Sequence, residues 1–266
     1  MTVRAALDRA ASALEERGVP DPAVDAEWLL AHALGTTRSR LALRRELAPE
    51  EEERFEALVR RRATREPLAY VLGEWGFRGL TLKTDARALV PRPETEVVAE
   101  RCLALLAGRA APRVLDVGVG SGAIALAVAA EHPGARVTGV DVSEAALGLA
   151  RENAALTGVF VELRRGGIEV AAEGWDLVVS NPPYVDADDL ATLEPEVREW
   201  EPRGALVGSG LHEELARAAR TEWLVLEVAD GQARPVAAAL RELGYRDVAV
   251  TPDLAGRERV VEGRRE

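Results

Sequence analysis

Several things are nearly absent from this sequence. Its 266 residues contain one cysteine, Cys102, so no disulfide framework can form. The three histidines, His32, His132 and His212, lie 80 or more residues apart, which with a single cysteine excludes a local Cys/His zinc motif. No apolar run reaches the ~18 residues of a membrane helix, and each long stretch is broken by a charge or a glycine. The first residues alternate charged and apolar side chains without the hydrophobic region of a secretory signal. A cytoplasmic protein with no membrane partner is therefore expected. Lysine is reduced to Lys83, the remaining basic residues all being arginine, which reads as genomic composition.

What is present is a globular balance, 47% hydrophobic and 30% charged. The length suits one large domain or two modest ones at roughly 150 residues each. The net charge of −11 is uneven: residues 1–75 carry 12 arginines against 14 acids, and residues 76–266 carry 22 basic against 31 acidic residues. A free-standing nucleic-acid binder shows a basic face, and this chain shows none overall. Arg60-Arg61-Arg62 with Arg65 form one small basic cluster. Acids at 50–53 open the same helical stretch that these arginines close, so the arginines read as a solvated helix end paired with its dipole.

Residues 1–73 read as helices. Val3, Leu7, Ala10 and Leu14 share one helical face, with Gly18 as the stop. Asp21-Pro22 opens a second helix with Val24, Trp28 and Leu29 on one face. Over 74–90 the pattern changes: Trp75, Phe77, Leu80 and Leu82 flank Arg78-Gly79, a hairpin signal, and the stretch reads as a connector. Across 91–266, helical stretches alternate with short apolar strands at 113–117, 136–140, 159–163, 176–180 and 223–228. A weaker pair follows near 247–250 and 259–261. This alternation predicts a doubly wound α/β domain with a mostly parallel sheet. Cys102 shares a face with Val98 and Leu105 and is expected in the core, while His32 and His132 read as bystanders.

After the strand at 113–117 comes Gly118-Val119-Gly120-Ser121-Gly122, and a helix follows. Glycines let the backbone turn sharply and approach a ligand closely. Asp141 ends the next strand, 23 residues beyond Gly118, where a carboxylate can accept both ribose hydroxyls. The spacing also satisfies the loose NAD fingerprint. Alternating glycines and Asp116, a carboxylate close to the loop, instead favour a cationic ligand, S-adenosylmethionine.

Behind the strand at 176–180 stands Asn181-Pro182-Pro183-Tyr184. Two prolines forbid helix and remove two backbone donors, leaving a stiff loop at the carboxyl edge of the sheet. Such a run can be no more than a turn. It also holds the groups that grip a planar NH2: the Asn181 amide oxygen and the Pro182 carbonyl as acceptors, and the Tyr184 ring as a stacking face. Fixing a poor nucleophile in line with a methyl donor can supply about 7–11 kcal/mol.

With these motifs the chain resembles the HemK-type protein-(glutamine-N5) methyltransferases. The resemblance spans nearly the whole sequence and includes Pro91-Arg92-Pro93-Glu94-Thr95-Glu96, Glu201-Pro202 and the run from Asp253 to Arg259. It implies a Rossmann-like S-adenosylmethionine-dependent methyltransferase domain with a small N-terminal helical domain. Gly118 to Gly122 and Asp141 would contact the cofactor, with Asn181 and Ile168 beside it. Asn181, Pro182, Pro183 and Tyr184 would contact the glutamine of a Gly-Gly-Gln loop in peptide chain release factors. A protein substrate needs contacts beyond one side chain to reach an ordinary interface size, so residues 1–73 are expected to dock it. Two departures stand out: Gly166-Gly167-Ile168 lacks an acidic residue near adenine, and the stretch from Val207 to Trp223 lacks a Pro-Gly-Gly turn.

Other functions share parts of this pattern. Asn-Pro-Pro-Tyr also occurs in adenine-N6 methyltransferases of DNA or RNA. Between 186 and 201, however, Asp186, Asp188, Asp189, Glu194, Glu196, Glu199 and Glu201 face one base, Arg198, and that strip should repel phosphates. No direct nucleic-acid binding is expected. A non-catalytic cofactor sensor would not need Asn181 and Tyr184, and an NAD oxidoreductase lacks a proton donor near the loop. A ribosomal protein is an alternative glutamine-bearing substrate within the same superfamily.

Overall fold

The computed structural model describes residues 1–265. It forms two compact units: Met1–Gly73 with Glu194–Trp200, and Glu74–Leu193 with the chain from Glu201 onward.

The first unit is helical. It contains α1 (Val3–Glu15), α2 (Pro22–Ala33), α3 (Arg38–Leu41), α4 (Pro49–Arg62) and α5 (Leu68–Leu72). The Thr2 hydroxyl caps α1 by accepting the Ala5 N–H at 3.2 Å, and Val3, Ala6, Ala10 and Leu14 form its buried face. The expected face of α2 is corrected: Val24 is 41% and Trp28 40% exposed, while Asp25, Ala26, Leu29 and Leu30 turn inward. Asp25 is paired on that inward face beside the fully buried Ala26, Leu29 and Leu30. Arg62, 4% exposed, donates from Nε to Asp25 Oδ2 at 2.7 Å and from Nη1 to the Glu66 carbonyl at 3.1 Å. Its Nη2 lies 2.8 Å from Glu196 on the short helix Pro195–Trp200, where Arg65 Nε also donates at 2.7 Å. Arg61 pairs with Glu66 and donates to the Tyr70 and Val71 carbonyls. Arg62 and Arg65 are thus internal struts rather than a solvated helix end, while Arg61 stays exposed. Burial pushes the Asp25 carboxyl above its ordinary value, and Arg62 pulls the other way.

In the second unit, β1 (Glu74–Phe77) and β2 (Leu80–Lys83) pair antiparallel. This hairpin packs on the sheet domain: Phe77 and Leu82 share a core cluster with Val98, Cys102 and Leu106. There follow α6 (Thr95–Leu106), β3 (Arg113–Val117), α7 (Ala123–Glu131), β4 (Arg136–Asp141), α8 (Glu144–Thr157), β5 (Glu162–Arg165) and β6 (Trp175–Ser180). After them come α9 (Leu211–Ala218), β7 (Thr221–Glu227), α10 (Ala233–Glu242), β8 (Arg246–Pro252) and β9 (Glu258–Arg264). The strand order is β5-β4-β3-β6-β7-β9-β8, parallel through β7 and antiparallel at the last two. One face carries the cluster with α6, α7 and α8; the other packs α9 and α10 around Trp175 and Tyr245. The strand expected at 159–163 lies later, because Gly158 ends α8 in a left-handed turn and pairing with β4 starts at Glu162.

Removing Arg62 leaves Asp25 buried and uncompensated. Arg62→Met should destabilise the helical unit by about 3–5 kcal/mol, measured as a lower urea midpoint. An unchanged midpoint would show that the strut carries no stability.

Candidate active site

In an open α/β sheet, ligands bind beyond the carboxyl ends of the strands where the strand order reverses. Here β3 is first in the chain order of the sheet and central, with β4 on one side and β6 on the other. The loops leaving β3 and β6 therefore emerge together, in a register that sets Val117 opposite Ser180. The Ser180 hydroxyl donates to the Val117 carbonyl at 2.7 Å, tying the two exits.

The first loop is shaped by its glycines. Gly118, Gly120 and Gly122 hold φ of 77°, 54° and 89°, a region that side-chain-bearing residues rarely adopt. The Gly118 and Val119 N–H groups both donate to the Val140 carbonyl at 2.9 Å, folding the loop over the end of β4. A Cβ on Gly118 would meet nothing within 4 Å, so the loop backbone faces open space. Asp141 accepts the Gly120 N–H at 3.0 Å on one oxygen and the Ser143 N–H at 2.9 Å on the other. Each oxygen keeps a second lone pair. From below, buried Asn153 accepts the Lys83 N–H at 2.7 Å and donates to the Ser121 carbonyl at 2.9 Å. Asn153 has no distinct signal in the sequence, because α8 carries several polar side chains and their pattern does not mark the one that turns inward.

Asp116 lies under this loop. Oδ2 accepts the Ala125 N–H at 3.1 Å, and Oδ1 is buried without a partner among the described residues. Burial pushes its carboxyl up to about 7, the Ala125 N–H opposing and Asp141 reinforcing the shift.

In the second loop the Asn181 side-chain amide makes no hydrogen bond among the described residues and is half-buried; Pro182 is buried, and Pro183 and Tyr184 are half-buried. Burial raises the Tyr184 phenol to about 12, with Glu227 adding to the shift and Arg259 and Arg92 opposing it. Glu227, at the end of β7, is pushed up to about 7 by burial, against the Thr95 hydroxyl and Arg259. Its Oε2 also lacks a partner among the described residues. Arg92 Nη2 donates to buried Glu201 at 2.6 Å, so two motifs 109 residues apart meet. His212 bonds the Glu227 carbonyl at 2.8 Å, a structural role. The stretch without a Pro-Gly-Gly turn is built otherwise: Gly208 fits against Pro183, where a Cβ would come within 2.8 Å of the Pro183 carbonyl.

Comparison with known proteins matches residues 5–73 to the PrmC N-terminal domain and residues 97–194 to the methyltransferase small domain. The release factor glutamine methyltransferase of Deinococcus radiodurans is 44% identical, covering 100% of this chain and 99% of its own. That of Geobacter sulfurreducens is 41% identical over 99% and 96%. The chain belongs to the release factor glutamine methyltransferase family. Solved structures of lower identity share the fold. A methyltransferase from Pyrococcus furiosus has a TM-score of 0.53 at 20% identity, covering 70% of this chain and 89% of that one. The human methyltransferase 10 domain containing protein has a TM-score of 0.51 at 17% identity, covering 70% and 90%. Both are Rossmann-like, the fold expected from the strand alternation.

Three features of this family member were not readable from spacing. Ile168 opens a short 3-10 helix, Ile168–Glu173, and packs half-buried against the second core cluster. Glu169, on the same 3-10 helix, is exposed, and its Oε1 accepts the Gly167 N–H at 2.8 Å. The acidic strip is smaller than counted, because Glu194 and Glu196 pair with Arg65 and Arg62, and Glu201 with Arg92. A cleft of about 700 Å³ lined by Arg113, Trp175, Arg220 and Glu222 sits at the amino ends of β3, β6 and β7, the opposite edge from both loops.

The folded protein holds the Asp116 proton up to about pH 7, whereas the unfolded chain releases it near the ordinary value of 3.8. Between those values the folded form binds more protons, so this group's contribution to stability falls as pH rises. Asp116→Asn keeps the acceptor for Ala125 and should gain on the wild type by about 1.4 kcal/mol per pH unit across that window. Denaturant titrations of both proteins from pH 4.5 to 7.5 check this; parallel curves would refute it.

Proposed function

We propose that this chain transfers the methyl group of S-adenosylmethionine to the side-chain nitrogen, N5, of the glutamine in the Gly-Gly-Gln motif of peptide chain release factors. The observation that carries this reading is the junction of β3 and β6. It sets a glycine loop over a partnerless carboxylate oxygen beside an Asn-Pro-Pro-Tyr loop whose amide is unengaged among the described residues. The full-length likeness to release factor glutamine methyltransferases supports the same substrate.

The cofactor fits these residues. Gly118 to Gly122 give close backbone approach, Asp141 has lone pairs for two ribose hydroxyls, and Asp116 Oδ1 is an unsatisfied acceptor suited to a cation. Asn181 lies where loop and cofactor would meet, and Ile168 offers an apolar surface for adenine. When bound, S-adenosylmethionine supplies an electrophilic methyl on a sulfonium. Asn181 Oδ1 and the Pro182 carbonyl each accept one hydrogen of the glutamine NH2, and Tyr184 stacks on the amide plane. Pro183 keeps the loop rigid while the nitrogen is aimed. The nitrogen would gain the methyl as the carbon–sulfur bond breaks with its electron pair left on sulfur, and would lose one proton to water, so what the protein contributes is alignment, worth about 7–11 kcal/mol when complete.

Residues 1–73 serve as the docking domain in this reading. Val24 and Trp28, one turn apart on α2, stay exposed although apolar, a surface suited to a protein partner. Direct nucleic-acid recognition is disfavoured by Asp186, Asp188 and Asp189, which follow Tyr184 and remain exposed.

Asn181→Ala should reduce single-turnover methylation of a purified release factor about 100-fold or more, while S-adenosylmethionine affinity changes little, because the contact matters most in the transition state. Tyr184→Phe should be mild and Tyr184→Ala severe. Wild-type rates in Asn181→Ala, or robust methylation of adenine in DNA with none of release factor, would reverse the reading. Trp28→Ala should raise the KM for release factor several-fold at constant kcat; an unchanged KM would remove α2 from the docking surface.

A further inference from the structure

One side chain reaches the Asn-Pro-Pro-Tyr loop from the far side of β7. Gln232 precedes α10 and is half-buried. Its Nε2 donates to the Tyr184 carbonyl at 3.2 Å, and its Oε1 accepts the Ala229 N–H at 3.2 Å. The polarity is fixed: a flipped amide would set oxygen against oxygen and N–H against N–H. One amide therefore links the loop's last carbonyl to the backbone just beyond β7.

The loop needs such a link. Pro182 and Pro183 have no N–H, so its middle cannot tie itself down by its own backbone donors. Upstream it is held through Ser180 and Val117. Downstream, the Val185 N–H donates to the Leu206 carbonyl at 3.0 Å, and the Gly208 N–H to the Val185 carbonyl at 3.2 Å. The Tyr184–Val185 peptide is gripped at both poles, its N–H by the Leu206 carbonyl and its C=O by Gln232, and it is the link next to the Tyr184 ring and the proline carbonyls before it.

We propose that Gln232 is a positioning residue for methyl transfer, fixing the Tyr184 peptide through its Nε2–H so that the Tyr184 ring and the Pro182 carbonyl face the substrate amide. Both amide atoms of Gln232 are taken up by backbone groups, so its action passes through the loop. The inference rests on the proposed role of Asn181 to Tyr184. A loop misplaced by about 1 Å can cost about 100-fold in rate without loss of binding.

The test exploits the polarity. Gln232→Glu is nearly isosteric and still accepts from Ala229, but when ionised it sets an acceptor against the Tyr184 carbonyl; protonation restores a donor there. Release factor methylation by full-length protein should show kcat about 100-fold below wild type at pH 8. The KM and the S-adenosylmethionine Kd should stay within about 2-fold. The ratio of Gln232→Glu to wild-type kcat should climb as pH is lowered to 6. Gln232→Met should be equally slow, with a ratio to wild type that does not change with pH. This variant also decides the matter if Gln232→Glu fails to fold. Wild-type kcat in both variants, or a loss that follows melting temperature and lacks the pH-dependent rescue, would overturn the inference. A wild-type protein that methylates no release factor would instead overturn the function on which it rests.

Discussion

The hydrogen bond from the Ser180 hydroxyl to the Val117 carbonyl, 2.7 Å long, is where the architecture of the sheet becomes a site. Parallel pairing of β3 with β6 puts their carboxyl ends side by side, but pairing alone does not fix the loops that leave them. Ser180 does so with one buried bond, and the glycine loop and the proline loop both start from that point. Everything else around the site adjusts this junction. Asn153 supports Ser121 from below, and Asp141 draws Gly120 toward the end of β4. Gly208 leaves room for Pro183.

Buried charge is used in two ways. In the helical unit, Asp25, Arg62 and Glu196 are paired, and Asp25 sits on the inward face of α2 with Ala26, Leu29 and Leu30. Near the loops, the carboxylates of Asp116, Glu201 and Glu227 each keep one buried oxygen without a partner among the described residues. A paired buried charge specifies structure, whereas an unsatisfied one stores a demand for a partner. Carboxyl groups held near neutrality by burial cluster where ligands and reacting groups are handled.

The sheet and its loops were legible in the sequence because local signals suffice for them. Alternating apolar strands, glycines at 118, 120 and 122, and a double proline after a buried strand each state their conformation within a few residues. What stayed hidden depends on partners distant in the chain. Arg62 reads as a helix end paired with its dipole until Glu196, 134 residues later, is seen beside it. Glu194, Glu196 and Glu201 read as a repulsive strip until their arginines are found. Val24 and Trp28 read as one face with Leu29, because apolar periodicity does not register that Asp25 has an internal partner. Gln232 and Asn153 act through backbone atoms of other elements, which no side-chain pattern announces.

The clamp of Arg62 and Arg65 on Glu196 also orders events in time. Glu194–Trp200 belongs to the helical unit although all of the chain between Gly73 and Glu194 belongs to the other. A nascent chain that has released only its first helices exposes Arg62 without one of its two carboxylates. At synthesis rates of about 5–20 residues per second, that state lasts roughly 6–25 s before residue 196 arrives. The helical unit is therefore the first to begin and not the first to finish, and its completion on the ribosome waits for the strand and loop that carry Asn181. A separately expressed fragment ending at Gly73 would remain permanently at that unfinished stage.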